Sequence, residues 1–205
     1  MAKRSYKQSC SLARAVDVVG ERWTLLLIRD LLVGPRRFRD FLQSQKGIGT
    51  NLLAARLKDL ELAGIVERRS GDGGTHTYAL TQSGQALEPT VLALVRWGLV
   101  HGPQNQPDHH HNDDWDLLAL KALFQPQRAG DLEIGVQFAA DSLNGWMKID
   151  AGAVSIGLGQ LATADLVIAA TISDLFMGRE PPESVLAAGD VANLKRFMSV
   201  FALRA

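Results

Sequence analysis

Cysteine is nearly absent from this chain of 205 residues: Cys10 stands alone. No disulfide can form within one chain, so any disulfide must join two copies or capture a small thiol. Long apolar runs are missing too. None approaches the ~20 residues that a membrane-spanning helix needs. The basic start Met1-Ala2-Lys3-Arg4-Ser5-Tyr6-Lys7-Gln8 is not followed by the apolar core of a signal peptide. A soluble cytoplasmic protein that does not engage membranes is expected. No Gly-x-Ser-x-Gly and no phosphate-binding P-loop occurs, and no nucleophile is paired with a base. The chain is therefore read as a non-enzyme without a cofactor. Net charge is also lacking, with 22 basic and 22 acidic residues.

That zero hides an asymmetry. Residues 1–102 hold 15 Lys and Arg against 9 Asp and Glu, while residues 103–205 hold 7 against 13. A half at +6 and a half at −6 suggest two domains with different partners, the basic one facing a polyanion. Between them, Pro103 to Asp114 is polar and proline-containing and reads as a linker. The expected division is 1–102, a linker over 103–114, and 115–205.

In the basic half, apolar residues mark four helices. Leu12, Val16 and Val19 belong to the first, which Gly20 breaks. Glu21 to Leu32, anchored by Trp23, forms the second and ends at Gly34-Pro35. Phe38, Phe41 and Leu42 give the third a core stripe and leave Arg36, Arg37 and Arg39 mostly outward. The fourth runs from Thr50, its expected cap, to the glycine stop at Gly64. Leu53, Leu57 and Leu60 line one side. Thr50, Asn51, Ala55 and Lys58 lie opposite, a low-relief face with hydrogen-bonding groups that suits contact with DNA. The period then changes to two. Ile65 to Arg69 and Thr75 to Leu80 are strands joined by Gly71-Asp72-Gly73-Gly74. A long helix from Gln82 to Val100 follows, with Leu87, Val91, Leu94, Val95 and Leu99 along one side.

Helix-turn-helix followed by a two-stranded wing is a winged helix. Over residues 6–102 the chain resembles the HxlR-type winged-helix transcriptional regulators. The matching blocks run from Cys10-Ser11-Leu12-Ala13-Arg14 to Gly20-Glu21-Arg22-Trp23-Thr24, then Gly34-Pro35-Arg36-Arg37-Phe38, Gly47-Ile48-Gly49-Thr50-Asn51 and Tyr78-Ala79-Leu80-Thr81. The resemblance implies a homodimer joined through the first and last helices of this domain. It also implies one recognition helix per subunit in the major groove of double-stranded DNA, with a wing on the backbone. Thr50, Asn51 and Lys58 are the candidates for base edges. Arg36, Arg37, Arg39, Arg56, Arg68, Arg69, Thr75 and His76 are the candidates for phosphate, and Lys58 is open to that role too. Arg56 lies beside the apolar stripe, and an internal ion pair is its equal alternative.

The acidic half predicts a short helix holding Trp115, Leu118, Leu123 and Phe124. Strands follow at Leu132–Phe138, Gly145–Ile149, Val154–Leu158 and Asp165–Thr171, and a final helix at about Asp190–Leu203. Strict alternation in the first strand predicts one buried face, and short turns predict an antiparallel meander. The whole chain is thus α+β, a winged helix-turn-helix plus an antiparallel sheet with helices on one face. This half resembles the sterol-carrier-protein type through Ala164-Asp165-Leu166-Val167-Ile168, Leu175-Phe176-Met177-Gly178-Arg179 and Gly189-Asp190. Relatives carry a short extra strand before the last helix. Here the chain runs almost directly from Ala188 into Gly189-Asp190, so that strand is expected to be missing. The resemblance implies an apolar ligand, a hydrophobic small molecule or lipid, among Val136, Phe138, Leu175, Phe176, Phe197, Met198 and Phe201.

A ligand-responsive DNA-binding transcriptional regulator is the leading expectation. In the alternative, Cys10 is a redox sensor, its thiolate favoured by a helix N-terminus with Lys7 and Arg14 nearby, and the C-terminal domain is structural. A lipid carrier is the distant alternative. His109-His110-His111 reads as solvated linker rather than metal site, since consecutive histidines share no face. Gly157-Leu158-Gly159-Gln160-Leu161-Ala162 reads as a turn, because a strand rather than a long helix follows it.

Overall fold

The computed structural model describes residues 5–71, 75–103, 106, 108–176 and 181–202. The chain divides into two compact units, Met1–Val91 and Leu92–Ala205. Among the described residues no helix is long and apolar enough to cross a membrane.

The first unit is built from helices α1 (Ser11–Val19), α2 (Thr24–Val33), α3 (Phe38–Ser44) and α4 (Thr50–Leu62). The wing strands β1 (Val66–Ser70) and β2 (His76–Leu80) follow, then the short α5 (Gln82–Gln85). The wing is antiparallel, with Arg68 opposite Tyr78. Its glycine turn lies mostly outside the described residues. Leu27, Ile28, Leu31, Phe41, Leu53, Leu57, Leu60 and Val66 are buried and form the core. Thr81 ties the wing to the end of α4: its hydroxyl donates to the Gly64 carbonyl at 2.6 Å and accepts from the Gly84 N–H at 3.1 Å. Gly84 sits so close to Ile65 that a Cβ would stand 2.2 Å from its carbonyl oxygen. No other residue fits there without moving the wing.

The long helix expected over 82–100 is broken. α5 ends at Gln85, and α6 (Glu88–His101) starts afresh. Val91 is buried, while Leu94, Trp97, Leu99 and Val100 are exposed.

The second unit continues with α7 (Asp114–Leu123), α8 (Pro126–Ala129), β3 (Ile134–Ala140), β4 (Leu143–Asp150), β5 (Ala153–Leu158) and β6 (Leu166–Ile168). It ends with α9 (Ile172–Phe176), α10 (Pro182–Val185), β7 (Leu186–Ala188) and α11 (Val191–Ser199). The sheet order is β5-β4-β3-β6-β7.

Two expectations are corrected here. The sheet is mixed rather than an antiparallel meander, because β6 pairs with β3 in parallel, Val136 against Leu166. The segment 159–165 carries the chain from one side of the sheet past β4 and β3, three strand spacings or roughly 14 Å. Seven residues reach that far without strain. The strand expected to be missing is also present, since β7 pairs antiparallel with β6 just before Gly189.

Crossover and burial are connected. β3 is buried on both faces from Ile134 to Phe138, not on one. On one face Phe138 meets Phe197 of α11, and Gly145, opposite Phe138, lies under Leu117 of α7. Cross-strand partners share a face, so α7 and α11 cover the same one. On the other face the crossover segment covers Gly135 and Gln137. The Leu161 N–H donates to the Gln137 Oε1 at 2.8 Å, and the Gln137 amide donates to the Gly159 carbonyl at 3.1 Å. Asp165 accepts from the Gly135 N–H at 2.7 Å.

Candidate nucleic-acid interface

α4 has a buried and an open side. Leu53, Leu57 and Leu60 are at most 1 % exposed, while Thr50, Asn51, Ala55 and Lys58 are exposed. The helix begins one residue earlier than its expected cap implies: Gly49 is the N-cap and Thr50 the first helical residue. The Thr50 hydroxyl is thereby placed on the exposed first turn rather than consumed as the expected cap.

The basic residues separate into different groups. Arg37 and Arg39 are exposed at the start of α3, where the Arg37 N–H donates to Asp40. Arg68 and Arg69 are exposed on β1, and Arg69 is ion-paired with Glu67 at 2.7 Å. His76 is exposed on β2, and Thr75, just before it, is half-buried.

Arg36 departs from expectation. It is buried, not outward. Its backbone bridges Tyr78 of the wing in both directions, at 3.0 and 2.7 Å, and its Nε donates to the Asp30 carbonyl. A side chain held this way is unavailable to phosphate, so Arg36 belongs to the scaffold. Arg56 resolves the open alternative towards the ion pair. It bridges Glu21 at 3.1 Å and Asp59 at 2.9 Å, and so ties α4 to the turn before α2.

One cluster escaped the sequence reading. Asp30 of α2 is wholly buried, and its carboxylate accepts from Ser44 at 2.5 Å, Gln45 at 2.6 Å and Arg29 at 3.0 Å. Burial pushes the Arg29 guanidinium down from its ordinary value, and Asp30 opposes that shift. This network fixes the end of α3, and with it the turn that delivers α4. The only sequence signal was the charged pair Arg29-Asp30 inside the Leu-rich α2.

Cys10 is exposed at the N-cap of α1. The backbone amides of Ala13 and then Leu12, in the first turn of α1, hold its thiol below its ordinary value. These amides are the expected helix N-terminus; Lys7 and Arg14 are not among the causes. Folding depresses this pKa, so the thiolate is more populated near neutral pH in the native chain than in the unfolded one. Alkylation of Cys10 by iodoacetamide, followed against pH, is expected to reach half-maximal rate at lower pH for the native chain than for the chain in urea. Coincident profiles would remove the amide effect.

In the second unit four of the seven residues expected around a ligand, Phe138, Phe176, Phe197 and Phe201, come together. Val136, Phe138, Leu175, Phe197 and Phe201 are buried; Phe176 and Met198 are half-buried. The four phenylalanines pack ring against ring, with centroids 5.1 Å apart for Phe197 and Phe201 and 5.6 Å for Phe176 and Phe201.

Comparison with known proteins matches the N-terminal half of the chain. Residues 18–106 match the family model described as HxlR-like helix-turn-helix. An HTH-type transcriptional regulator of Mycobacterium tuberculosis is 37% identical over 107 residues, covering 49% of this chain and 67% of its own. The regulator YvaP of Bacillus subtilis is 35% identical over 89 residues, covering 41% and 80%. Among solved structures, the redox regulator HypR in its oxidized form is 30% identical, covering 47% of this chain and all of its own, with a TM-score of 0.44. These matches cover about half of the chain or less. Through its first half the chain belongs to the HxlR-like helix-turn-helix family, and it is a DNA-binding transcriptional regulator.

Proposed function

We propose that α4 lies in the major groove of double-stranded DNA and reads base edges with Thr50, Asn51 and Lys58. Arg37, Arg39, Arg68, Arg69, Thr75 and His76 hold the adjacent phosphates. The observation that carries this is the two-sided α4, whose leucine face is buried while its small and hydrogen-bonding face is open. Asparagine can pair with adenine through both N6 and N7. The regulator acts as a homodimer. Trp97, Leu99 and Val100 of α6, at 60, 57 and 52 % exposure, and separately Leu12 of α1, at 71 %, are apolar surfaces that a second copy can cover.

Mutating Asn51 and Lys58 separates the roles. Asn51→Ala is expected to cost about 1–3 kcal/mol on the preferred operator and to relax its sequence preference. Lys58→Ala weakens all DNA similarly and lowers the slope of log affinity against log salt by about one if the ammonium meets phosphate. Lys58→Ala instead loses discrimination if it meets a base. Fluorescence anisotropy with operator and scrambled duplexes measures both. Equal losses for Asn51→Ala on the two duplexes would sink the base-reading role.

The second unit supplies the regulatory input. An apolar small molecule enters beside the half-buried Phe176 and Met198, and alters operator affinity by binding the DNA-competent and incompetent states unequally. A second reading, favoured by the exposed Cys10 and its depressed pKa, makes oxidation of that thiol the input. Loss of oxidant response in Cys10→Ser, with ligand response intact, would select the redox reading as a separate input.

A further inference from the structure

We propose that His111, Asp113 and Asp116 form a binding site for a divalent transition-metal ion of the zinc type. The three come from the turn before α7 and its first residues. His111 Nε2 lies 3.2 Å from Asp113 Oδ1 and 3.3 Å from Asp116 Oδ2, and the three ligand atoms all lie within 4.8 Å of one another. A tetrahedral zinc ion with bonds of roughly 2.0–2.1 Å holds its ligands about 3.3 Å apart. The two separations from His111 Nε2 therefore match the edges of such a tetrahedron. Neutral imidazole and carboxylate oxygen are ordinary zinc ligands, and three protein ligands leave a fourth position for water.

Charge points the same way. The Asp113 and Asp116 side chains are only 16 and 17 % exposed, and within the triad a single imidazole faces both. Two carboxylates against one imidazolium leave a net negative charge. A divalent ion with neutral imidazole balances them. The positive end of the α7 dipole opposes a cation here, but its partial charge is smaller than that of two carboxylates. An outer partner also orients one ligand. The Ser142 hydroxyl, from the β3–β4 turn, donates to Asp113 Oδ2 and leaves Oδ1 facing the other two groups. Such outer hydrogen bonds fix a ligand's direction.

The run of three histidines disguises this arrangement. His109 Nδ1 accepts the Gln106 N–H, and the His110 ring lies edge-on to Trp115 at 5.6 Å. Only His111 joins the carboxylates. Its partners stand two and five residues on, a spacing set by the turn: the Trp115 N–H donates to the Asn112 carbonyl and the Asp116 N–H to that of Asp113. Bound metal would fasten the start of α7 and, through Ser142, the β3–β4 turn.

The test uses the full chain without an affinity tag, stripped by chelator and titrated with zinc chloride by calorimetry, with thermal unfolding alongside. One zinc per chain and a rise in Tm are expected. His111→Ala and Asp116→Asn should each weaken binding at least about tenfold and remove the Tm rise, and Ser142→Ala should weaken it by less. A His109→Ala/His110→Ala double variant and Cys10→Ser should both bind as the parent does. Zinc binding no tighter than that of His111→Ala, or its loss in either control variant, would overturn the site.

Discussion

Replacing Asp30 by alanine is expected to destabilise the N-terminal unit by about 3–5 kcal/mol, the usual cost of removing one partner from a buried ion pair. The carboxylate is wholly buried and accepts from Ser44, Gln45 and Arg29. Alanine leaves all three donors facing a void. Each unsatisfied neutral donor costs about 1–3 kcal/mol and the guanidinium more. Asp30→Asn keeps the volume but turns an amide NH2 towards those donors, so an intermediate loss follows. The functional consequence exceeds the thermodynamic one. Ser44 ends α3 and Gln45 begins the turn into α4, so the network positions the helix that carries Asn51 and Lys58. Operator affinity should fall in Asp30→Ala although this residue lies wholly inside the protein. Guanidinium unfolding, read by hydrogen exchange in α2 to α4, measures the stability, and anisotropy measures the affinity. A loss below about 1 kcal/mol with unchanged affinity would show that the network neither stabilises nor positions.

The same region shows what a sequence can reveal. α4 was legible because leucines at 53, 57 and 60 mark one side of a 3.6-residue period, and the residues opposite stand out by their low bulk. Arg36 was misread because the local pattern Arg-Arg-Phe-Arg resembles a solvated basic turn. Its burial comes from a bridge to Tyr78, 42 residues further on, which no local period encodes. Arg56 was ambiguous for the same reason, since Glu21 completes its pair from the turn before α2. In the second unit four of the five strands were legible, β7 was not, and neither was their order. Alternation reports which residues face a core; it does not report neighbours, and a seven-residue loop serves a hairpin or a crossover equally well. Gln137 gave no sign of the crossover in the sequence. A polar side chain on a face expected to be covered by water is instead enclosed by the crossover at Gly159 and Leu161.

Phe197→Ala is expected to cost the C-terminal unit about 3–5 kcal/mol, the range for deleting a buried aromatic ring. Phe197 is wholly buried and touches Phe138, Phe176 and Phe201, with centroids 6.4, 6.5 and 5.1 Å away. Such offset and edge contacts add about 0.5–1.5 kcal/mol per pair beyond burial. The substitution also decides how a ligand is accommodated. If the rings pack as a closed core, the truncated site is a dry apolar cavity, and a small aromatic such as benzene should bind it and recover part of the lost stability. The parent chain, whose rings already fill that volume, should gain much less. A ligand entering beside Phe176 and Met198 must then displace those two half-buried side chains, which couples occupancy to the conformation of α9 and α11. If Phe197→Ala costs less than about 1 kcal/mol, the volume is already open, and ligand binding needs no such displacement. Unfolding followed by hydrogen exchange in β3 and α11, with and without benzene, distinguishes the two cases.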